Sequence, residues 1–167
     1  MKRLAFALCL LSLSLSAAEV EETDGADEWY VGASASLVLP QGGAHVRRLG
    51  GAALRVGRYL GEDWAVEGDA AWLEDAAGLS VDALWHLQGW SAYGDLFGYS
   101  RFDPFLTGGV KGWVGRACGQ VGPKLGFGAF YHLTDNWSLR GDADATLGLD
   151  TACEMVYTLS LGVQYSF

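Results

Sequence analysis

The chain has 167 residues, and its 20 acidic side chains outnumber its 11 basic ones, for a net charge of −9. Because a nucleic acid is bound through basic surface that releases its counterions, this balance argues against a nucleic-acid partner. Half of the residues are hydrophobic and 24 are glycine. Beyond the N-terminal segment, however, no stretch reaches the roughly 20 apolar residues that a transmembrane helix needs.

The N-terminal segment has the order of a secretory signal peptide. Lys2 and Arg3 form a basic start, an uncharged apolar run follows, and the small residues Ala17 and Ala18 precede Glu19. Because the apolar run is too short to span a bilayer, a removable signal is favoured over an anchor helix. The predicted divisions are a signal peptide over residues 1–18, a flexible acidic segment over residues 19–28 and one domain over residues 29–167.

From Trp29 onward, apolar and polar residues alternate with a period of two, which is typical of strands whose successive side chains point to opposite faces. The alternation is clearest after Trp137 and weakest around Arg55 and Arg58, which have opposite parity. Either one of these arginines lies at a strand end, or a β-bulge shifts the register. The candidate strands cover residues 31–39, 54–59, 64–72, 80–88, 106–112, 120–131, 137–150 and 156–167.

The connections between these strands alternate in character. Short polar turns are predicted at residues 61–63 and 134–136, and a longer link at residues 89–103 lies at the same end of the strands. With a periplasmic N-terminus and an even number of strands, the remaining connections face outward. These outward connections are predicted near residues 41–50, 74–78, 116–119 and 150–154.

Aromatic residues concentrate near the predicted strand ends, which is typical of the two interfacial girdles of a membrane β-barrel. In hydrocarbon, only helices and closed barrels pair every backbone N–H and C=O. A soluble barrel with its apolar face inward would show the same alternation, but the predicted signal peptide and the terminal Phe167 favour the membrane. The aromatic set is Trp29, Tyr30, Tyr59, Trp64, Trp72, Tyr131, Trp137, Tyr157, Tyr165 and Phe167. We therefore predict an all-β fold, an eight-stranded antiparallel up-and-down transmembrane β-barrel.

Three segments read FDPFLTGGV at residues 102–110, GFGAFYHLTDNWSLR at residues 126–140 and VQYSF at residues 163–167. They resemble motifs of the OmpA-like/OmpX-like outer-membrane β-barrel family, the porin family in the broad sense. The last is similar to the β-signal, with Tyr165 and Phe167 as its aromatic residues. The resemblance implies the bacterial outer membrane, contact with its lipids and lipopolysaccharide, and handling by periplasmic chaperones and the barrel-assembly machinery. The resemblance does not identify the protein's function, since one fold can serve many functions.

Charged and polar residues share the face opposite the apolar one. An eight-stranded barrel has room inside only for side chains, and an unpaired buried charge is very costly. We therefore predict a charge network that fills the lumen, with a narrow ion or solute path as the alternative. The predicted network is Arg55, Glu67, Asp69, Asp82, His86, Lys111, Lys124, Arg140, Asp142 and Asp144.

Signals for catalysis or metal binding are weak. Of the histidines His45, His86 and His132, only His86 lies on the polar face, and no nucleophile motif accompanies it. No pair of His or Cys residues has the spacing of a metal site. We expect neither an enzyme nor a metal or cofactor site.

Cys118 and Cys153 remain after removal of the signal peptide, an even pair in an exported protein. We predict a disulfide that joins two outward loops, with free thiols as the alternative.

Arg47 and Arg48 form the only cluster of basic residues in a predicted outward loop. Either they contact lipopolysaccharide phosphates, or the segment is an ordinary exposed turn. A structural role in the cell envelope is the first functional hypothesis, followed by a small porin and a surface-binding barrel.

Overall fold

A computed structural model describes residues 28–41, 49–61, 63–87, 101–115, 119–149 and 155–167. Eight antiparallel strands follow one another around a closed barrel in sequence order. They are β1 (Trp29–Gln41), β2 (Leu49–Tyr59), β3 (Trp64–Leu73), β4 (Ala76–His86), β5 (Phe102–Gly115), β6 (Gln120–His132), β7 (Trp137–Leu147) and β8 (Met155–Ser166). The predicted eight-stranded antiparallel fold is confirmed.

The barrel closes between its first and last strands. β1 pairs with β8 in an unbroken register that runs from Tyr30 opposite Ser166 to Gln41 opposite Met155. Because closure leaves no free sheet edge, the strands can satisfy their backbone groups without water. No helix in the described part of the chain is long and apolar enough to cross a membrane.

Several strand ends differ from the prediction. β4 begins at Ala76, because Ala76 and Ala77 pair with β5 and leave only Glu74 and Asp75 as the turn. β5 begins at Phe102, inside the predicted long link, and β7 ends at Leu147. Small residues such as Ala and Gly suit either face of a sheet, so alternation says little where they end a strand.

The register of β1 and β2 decides between a strand end and a β-bulge as the explanation for Arg55 and Arg58. The pairing of β1 with β2 runs from Trp29 opposite Arg58 to Val38 opposite Leu49 without a bulge. Arg55 points into the barrel, and Arg58 lies at the strand end with its guanidinium 5.7 Å from the ring centre of Trp29. The strand-end interpretation is therefore correct.

Apolar side chains cover the outside of the barrel, whereas charged ones are buried inside. Leu125 and Leu161 are 71% and 69% exposed, but Glu67 and Lys111 are only 2% and 3% exposed. A water-soluble protein has the reverse distribution. The outer surface therefore has the apolar character of a surface that contacts lipid.

Aromatic rings line the barrel end at which β1 begins and β8 ends. Trp64 and Trp85 stack with their ring centres 6.0 Å apart, and Tyr165 contacts Trp137 and Phe167 at 5.0 and 5.2 Å. The inclusion of two tyrosines in this girdle was wrong. Tyr30 is fully buried and Tyr59 packs beside it inside the barrel, because each follows an outward-facing residue and so takes the opposite face.

Candidate functional site

The barrel interior is the candidate site, and it contains every residue of the predicted charge network. Alternation places each of these side chains on the inner face of its strand. Those side chains belong to Arg55, Glu67, Asp69, Asp82, His86, Lys111, Lys124, Arg140, Asp142 and Asp144. The interior is organised in layers from the end at which β1 begins and β8 ends, called the inner end, to the opposite, outer end.

One layer of charge crosses the lumen, and we call it the arginine layer: Arg55, Glu67, Arg140 and Asp142. The Arg140 guanidinium donates two hydrogen bonds to the Glu67 carboxylate, from Nη1 to Oε2 and from Nη2 to Oε1. Its Nε donates to Asp142 Oδ1 at 2.9 Å. Arg55 donates to both oxygens of Asp142 at 2.8 and 3.1 Å. Such forked pairs fix the geometry of both partners.

Neighbouring side chains complete the arginine layer. Arg55 Nε donates to Asp69 Oδ2 at 3.2 Å, and the Tyr30 hydroxyl donates to Glu67 Oε2 at 2.9 Å. The Arg140 guanidinium lies 4.9 and 5.2 Å from the ring centres of Phe105 and Phe130. Arg140 is thus held by carboxylates and by aromatic faces, the two environments that a guanidinium prefers.

A second layer of charge lies toward the outer end, and we call it the lysine layer: Asp82, Lys111, Lys124 and Asp144. Lys124 Nζ donates to Asp82 Oδ2 at 2.6 Å, and that oxygen also accepts from the Ser80 hydroxyl at 2.7 Å. This pair joins β6 to β4 across the intervening strand β5. The Lys124 charge is therefore directly neutralised.

Lys111 is bound less tightly than Lys124. Its Nζ lies 3.6 Å from Asp144 Oδ2 and 3.3 Å from the Thr158 hydroxyl, to which it donates. It also lies 4.8 Å from the ring centre of Trp113. Long contacts leave part of the ammonium's hydrogen-bonding capacity unused.

Apolar side chains close both ends of this charged column. The inner cluster is Tyr30, Ala65, Leu84, Phe105 and Phe130, with Tyr59 packed against it. The outer cluster is Val38, Leu49, Ala53, Ala71, Trp113 and Val156, with Leu73 packed against it.

The large rings of both clusters fit because glycines lie beside them. A Cβ on Gly78 would overlap the Trp113 ring, and one on Gly57 would overlap the Tyr30 ring. Rings of both clusters thus pack directly against bare backbone.

His86 belongs to the inner end and pairs with a residue that the prediction missed. Its Nδ1 lies 2.6 Å from Asp103 Oδ2, and its ring stacks on Phe130 with centres 5.8 Å apart. His132 instead lies at the rim, with Nδ1 2.8 Å from the Ser138 hydroxyl. Among the described residues, no three His, Cys, Asp or Glu side chains are placed to hold a metal ion.

Other contributors to the interior were also missed. Asp103 fell inside the predicted link, and Tyr30 was assigned to the girdle. Phe105, Phe130 and Trp113 were not assigned to the interior. Parity could have found them. Asp103, Phe105, Trp113 and Phe130 each lie an even number of residues from Thr107, Lys111 or Lys124 on the same strand, and Tyr30 lies four residues from the inward-facing Ser34.

Some predictions fall outside the described residues. These are the signal peptide at residues 1–18, nearly all of the acidic segment at residues 19–28, Cys118, Cys153, His45, and the basic spot at Arg47 and Arg48.

Comparison with known families settles the class of the protein. The model of the family described as "Outer membrane protein beta-barrel domain" matches residues 5–167. The chain belongs to this outer-membrane β-barrel family. Its location is the bacterial outer membrane, and the predicted family resemblance is confirmed. The inverted distribution of apolar and charged side chains is what hydrocarbon surroundings demand.

Solved structures of other outer-membrane barrels share the fold. The N-terminal β-barrel domain of Pseudomonas aeruginosa OprF is 18% identical, with a TM-score of 0.62 over 86% of this chain and 100% of that one. Neisserial surface protein A is 16% identical, with a TM-score of 0.64 over 83% and 97%.

Yersinia pestis Ail, solved in complex with the heparin analogue sucrose octasulfate, is 16% identical, with a TM-score of 0.53 over 87% and 100%. At these identities the likeness concerns the fold alone. No curated protein sequence matches the chain.

Proposed function

We propose that this protein is a structural barrel of the cell envelope whose lumen is filled by side chains and does not conduct. The observation that carries the proposal is the arginine layer, in which Arg140 and Glu67 join strands on opposite walls of the barrel. The inner cluster lies directly beneath that layer. A solute crossing the barrel would have to displace both.

Displacement of the arginine layer would be costly. Breaking a buried ion pair by removing one partner typically costs about 3–5 kcal/mol, because the other charge stays buried and unpaired. Asp142 holds two arginines at once, so movement of one guanidinium disturbs the contacts of the other. The layer therefore favours one closed arrangement.

Planar-bilayer recording tests this proposal. We expect the purified, refolded wild-type protein to give no stepwise currents, and Arg140→Ala to give small ones because it removes the central cation. Arg58→Ala is the matched control, since Arg58 lies outside the lumen against Trp29. Stepwise currents from the wild-type protein would refute the filled-lumen role.

A small channel is the second candidate. The observation that favours it is that charge, rather than packed hydrocarbon, fills the middle of the barrel. A purely structural filling gains little from buried ion pairs, which hydrophobic residues can often replace without loss of stability. If the wild-type protein does conduct, Arg140→Gln should shift its selectivity toward cations.

Binding at the cell surface is a third candidate, which we associate with the outer loops. The Ail structure supports it only in so far as a barrel of this fold accommodates a sulfated ligand. In this chain, Arg47 and Arg48 are the residues we propose for an anionic partner such as lipopolysaccharide phosphate. Loss of lipopolysaccharide binding in Arg47→Ala/Arg48→Ala, with heat-modifiable migration retained, would support this role.

We further propose that export proceeds through cleavage after Ala18, with periplasmic chaperones and the barrel-assembly machinery as transient partners. Tyr165 and Phe167 are the aromatic residues proposed for recognition by that machinery. Their position supports the proposal, because they contact each other at the end of β8, the strand that closes the barrel against β1. Phe167→Ala should reduce the amount of folded protein in the outer membrane, whereas Leu60→Ala should not.

A further inference from the structure

A pocket opens at the inner rim of the barrel, between the β6–β7 turn and the residue that precedes β5. Its volume is about 320 Å³, and it is lined by Arg101, His132, Leu133, Thr134 and Asp135. None of these residues belongs to the arginine layer, the lysine layer or either apolar cluster. Small ligands bind in concave sites of this size that hold a few placed polar groups. This rim pocket is therefore separate from the candidate site in the barrel interior.

Backbone hydrogen bonds fix both walls of the rim pocket. In the turn, Leu133 N donates to Trp137 O at 2.8 Å, and Trp137 N donates to the Thr134 hydroxyl oxygen at 3.0 Å. His132 N donates to Arg101 O at 2.8 Å and so ties the turn to the start of β5. A site that is held in place before its ligand arrives loses less entropy on binding. The polar groups of the pocket are thus presented by a fixed backbone.

The two oppositely charged side chains of the rim pocket are not used within the barrel. Arg101 and Asp135 are exposed, and neither forms an ion pair or a side-chain hydrogen bond with any described residue. The charged side chains of the lumen differ, because they are paired with one another. A guanidinium and a carboxylate at one pocket are therefore both available to a ligand.

Two further side chains add hydrogen-bond donors to the rim pocket. The Thr134 oxygen accepts from Trp137 N, so its own proton remains available. His132 already contacts a neighbouring hydroxyl through Nδ1, which leaves its Nε2 for a ligand. With Arg101, these groups suit the oxygens of a phosphate or carboxylate, which match the fork of the guanidinium. Asp135 supplies a carboxylate, which suits an ammonium with protons to donate. The ligand class is thus a small zwitterion.

The rim pocket lies at the depth of lipid head groups. Tyr131 and Trp137 flank the turn on the outer side of the barrel, and both are exposed. The aromatic girdles of membrane barrels lie at the boundary between hydrocarbon and head groups. Leu133, which lies between them in the chain, is exposed and also lines the pocket. The phosphate and the amine of a surrounding phospholipid are therefore within reach of the pocket.

We propose that the rim pocket binds a phosphoethanolamine group, a phosphate ester that carries a primary ammonium. Its phosphate accepts hydrogen bonds from Arg101 and Thr134, and its ammonium donates to Asp135. Either a phospholipid or a soluble ester can supply this group. The site does not depend on the proposed function, because the pocket binds its ligand at the rim whether or not the lumen conducts.

Lipids of defined composition are the first probes. The isotope-labelled mature protein is placed in nanodiscs of phosphatidylcholine, whose quaternary ammonium has no N–H to donate, and phosphatidylethanolamine is added stepwise. We expect saturable shifts in the NMR signals of the amides of residues 133–135 and of the Arg101 side chain. Phosphatidylglycerol has the phosphate without the amine and should produce no saturable shift. Equal shifts with both lipids would overturn the proposal.

A soluble ester identifies the source of the group. Glycerophosphoethanolamine is added to the same phosphatidylcholine nanodiscs. Saturable shifts with phosphatidylethanolamine alone assign the ligand to the membrane, and shifts with the soluble ester as well show that the free group is also bound. Both results support recognition of phosphoethanolamine, whereas no saturable shift with either compound would overturn it.

Substitutions test the roles of the two charged residues. Arg101→Gln and Asp135→Asn should each weaken binding roughly ten- to hundredfold, because each removes a hydrogen bond to a charged group. Arg58→Gln is the matched control, since Arg58 lies near the same barrel end but against Trp29 and outside the pocket. We expect its titration midpoint to equal that of the wild-type protein. An equal loss in Arg58→Gln, or no loss in either pocket variant, would contradict the proposal.

Discussion

Arg140 and Glu67 form a two-bond ion pair across the barrel, although 73 residues separate them in the sequence. The pair joins β7 to β3 on the opposite wall, and Tyr30 from β1 donates a further hydrogen bond to the same carboxylate. Three strands that are not mutual neighbours thereby meet at one point. Under the proposed function, the stability of the closed barrel and the obstruction of its lumen depend on this contact.

Removing one partner of this pair should destabilise the barrel strongly. We expect Arg140→Leu to lower the free energy of unfolding by about 3–5 kcal/mol, because Glu67 is left buried without its cation. The measurement is urea denaturation in lipid vesicles. The double variant Arg140→Leu/Glu67→Leu should recover part of the loss, and a double variant no better than the sum of the single ones would contradict the coupling.

A charged residue introduced on the outer surface should destabilise the barrel, and the loss should be larger near the middle of the membrane than near its interface. Leu161 lies in β8 and is 69% exposed, whereas Leu149 lies beyond the end of β7 and is 76% exposed. We expect Leu161→Arg to cost roughly 2–4 kcal/mol and Leu149→Arg to cost about 0–1 kcal/mol, as for arginine at the midplane and the interface of other barrels. Equal costs at the two sites, measured by denaturation in vesicles, would argue against a membrane-embedded belt.

Packing in the outer cluster gives a third prediction. A side chain on Gly78 would overlap the Trp113 ring, so Gly78→Val should destabilise the barrel by about 1–3 kcal/mol through overpacking. Gly50 is the matched control, because nothing lies within 4 Å of its Cβ position. The indole N–H NMR signal of Trp113 should shift in Gly78→Val and not in Gly50→Val. An unchanged spectrum in both variants would mean that Trp113 does not pack against β4.

The predicted disulfide and cleavage site are tested together by counting the free thiols of the exported protein. Cleavage after Ala18 removes Cys9, so the exported protein should contain no free thiol if Cys118 and Cys153 are bridged. A bridge between Cys118 and Cys153 closes a loop of about 35 residues, and it should stabilise the fold by about 3–4 kcal/mol. Thiol titration after denaturation without reductant should find none, whereas Cys153→Ser should show one. Two titratable thiols in the wild-type protein would exclude the bridge.

The sequence predicts the strands well because a period of two is a local property. β7 and β8 show the alternation almost without exception, and Arg55 and Arg58 require only the choice between a strand end and a bulge. Parity assigns a side chain to the inner or outer face. It also places Tyr30 inside, but Tyr30 was assigned to the aromatic girdle because it lies near a strand end.

Local sequence patterns do not predict which side chains pair across the lumen. Whether Arg140 meets Glu67 or Asp69 depends on how far each strand is displaced along its neighbours, and that displacement accumulates around the closed barrel. The pairing of His86 with Asp103 was missed for a related reason, because the start of β5 is set by its pairing with β4 and β6. Such contacts are fixed by tertiary structure.

The central claim is that the barrel's apolar side faces lipid and its charged side is enclosed. The accessibility of spin labels at two adjacent positions tests this claim most directly. Single cysteines replace Leu161, which points outward, and Ser160, which points inward. In vesicles we expect the label at residue 161 to be relaxed by lipid-soluble oxygen and the label at residue 160 by neither oxygen nor a water-soluble nickel reagent. Relaxation of the residue-161 label by the nickel reagent, in protein that stays folded, would contradict the account.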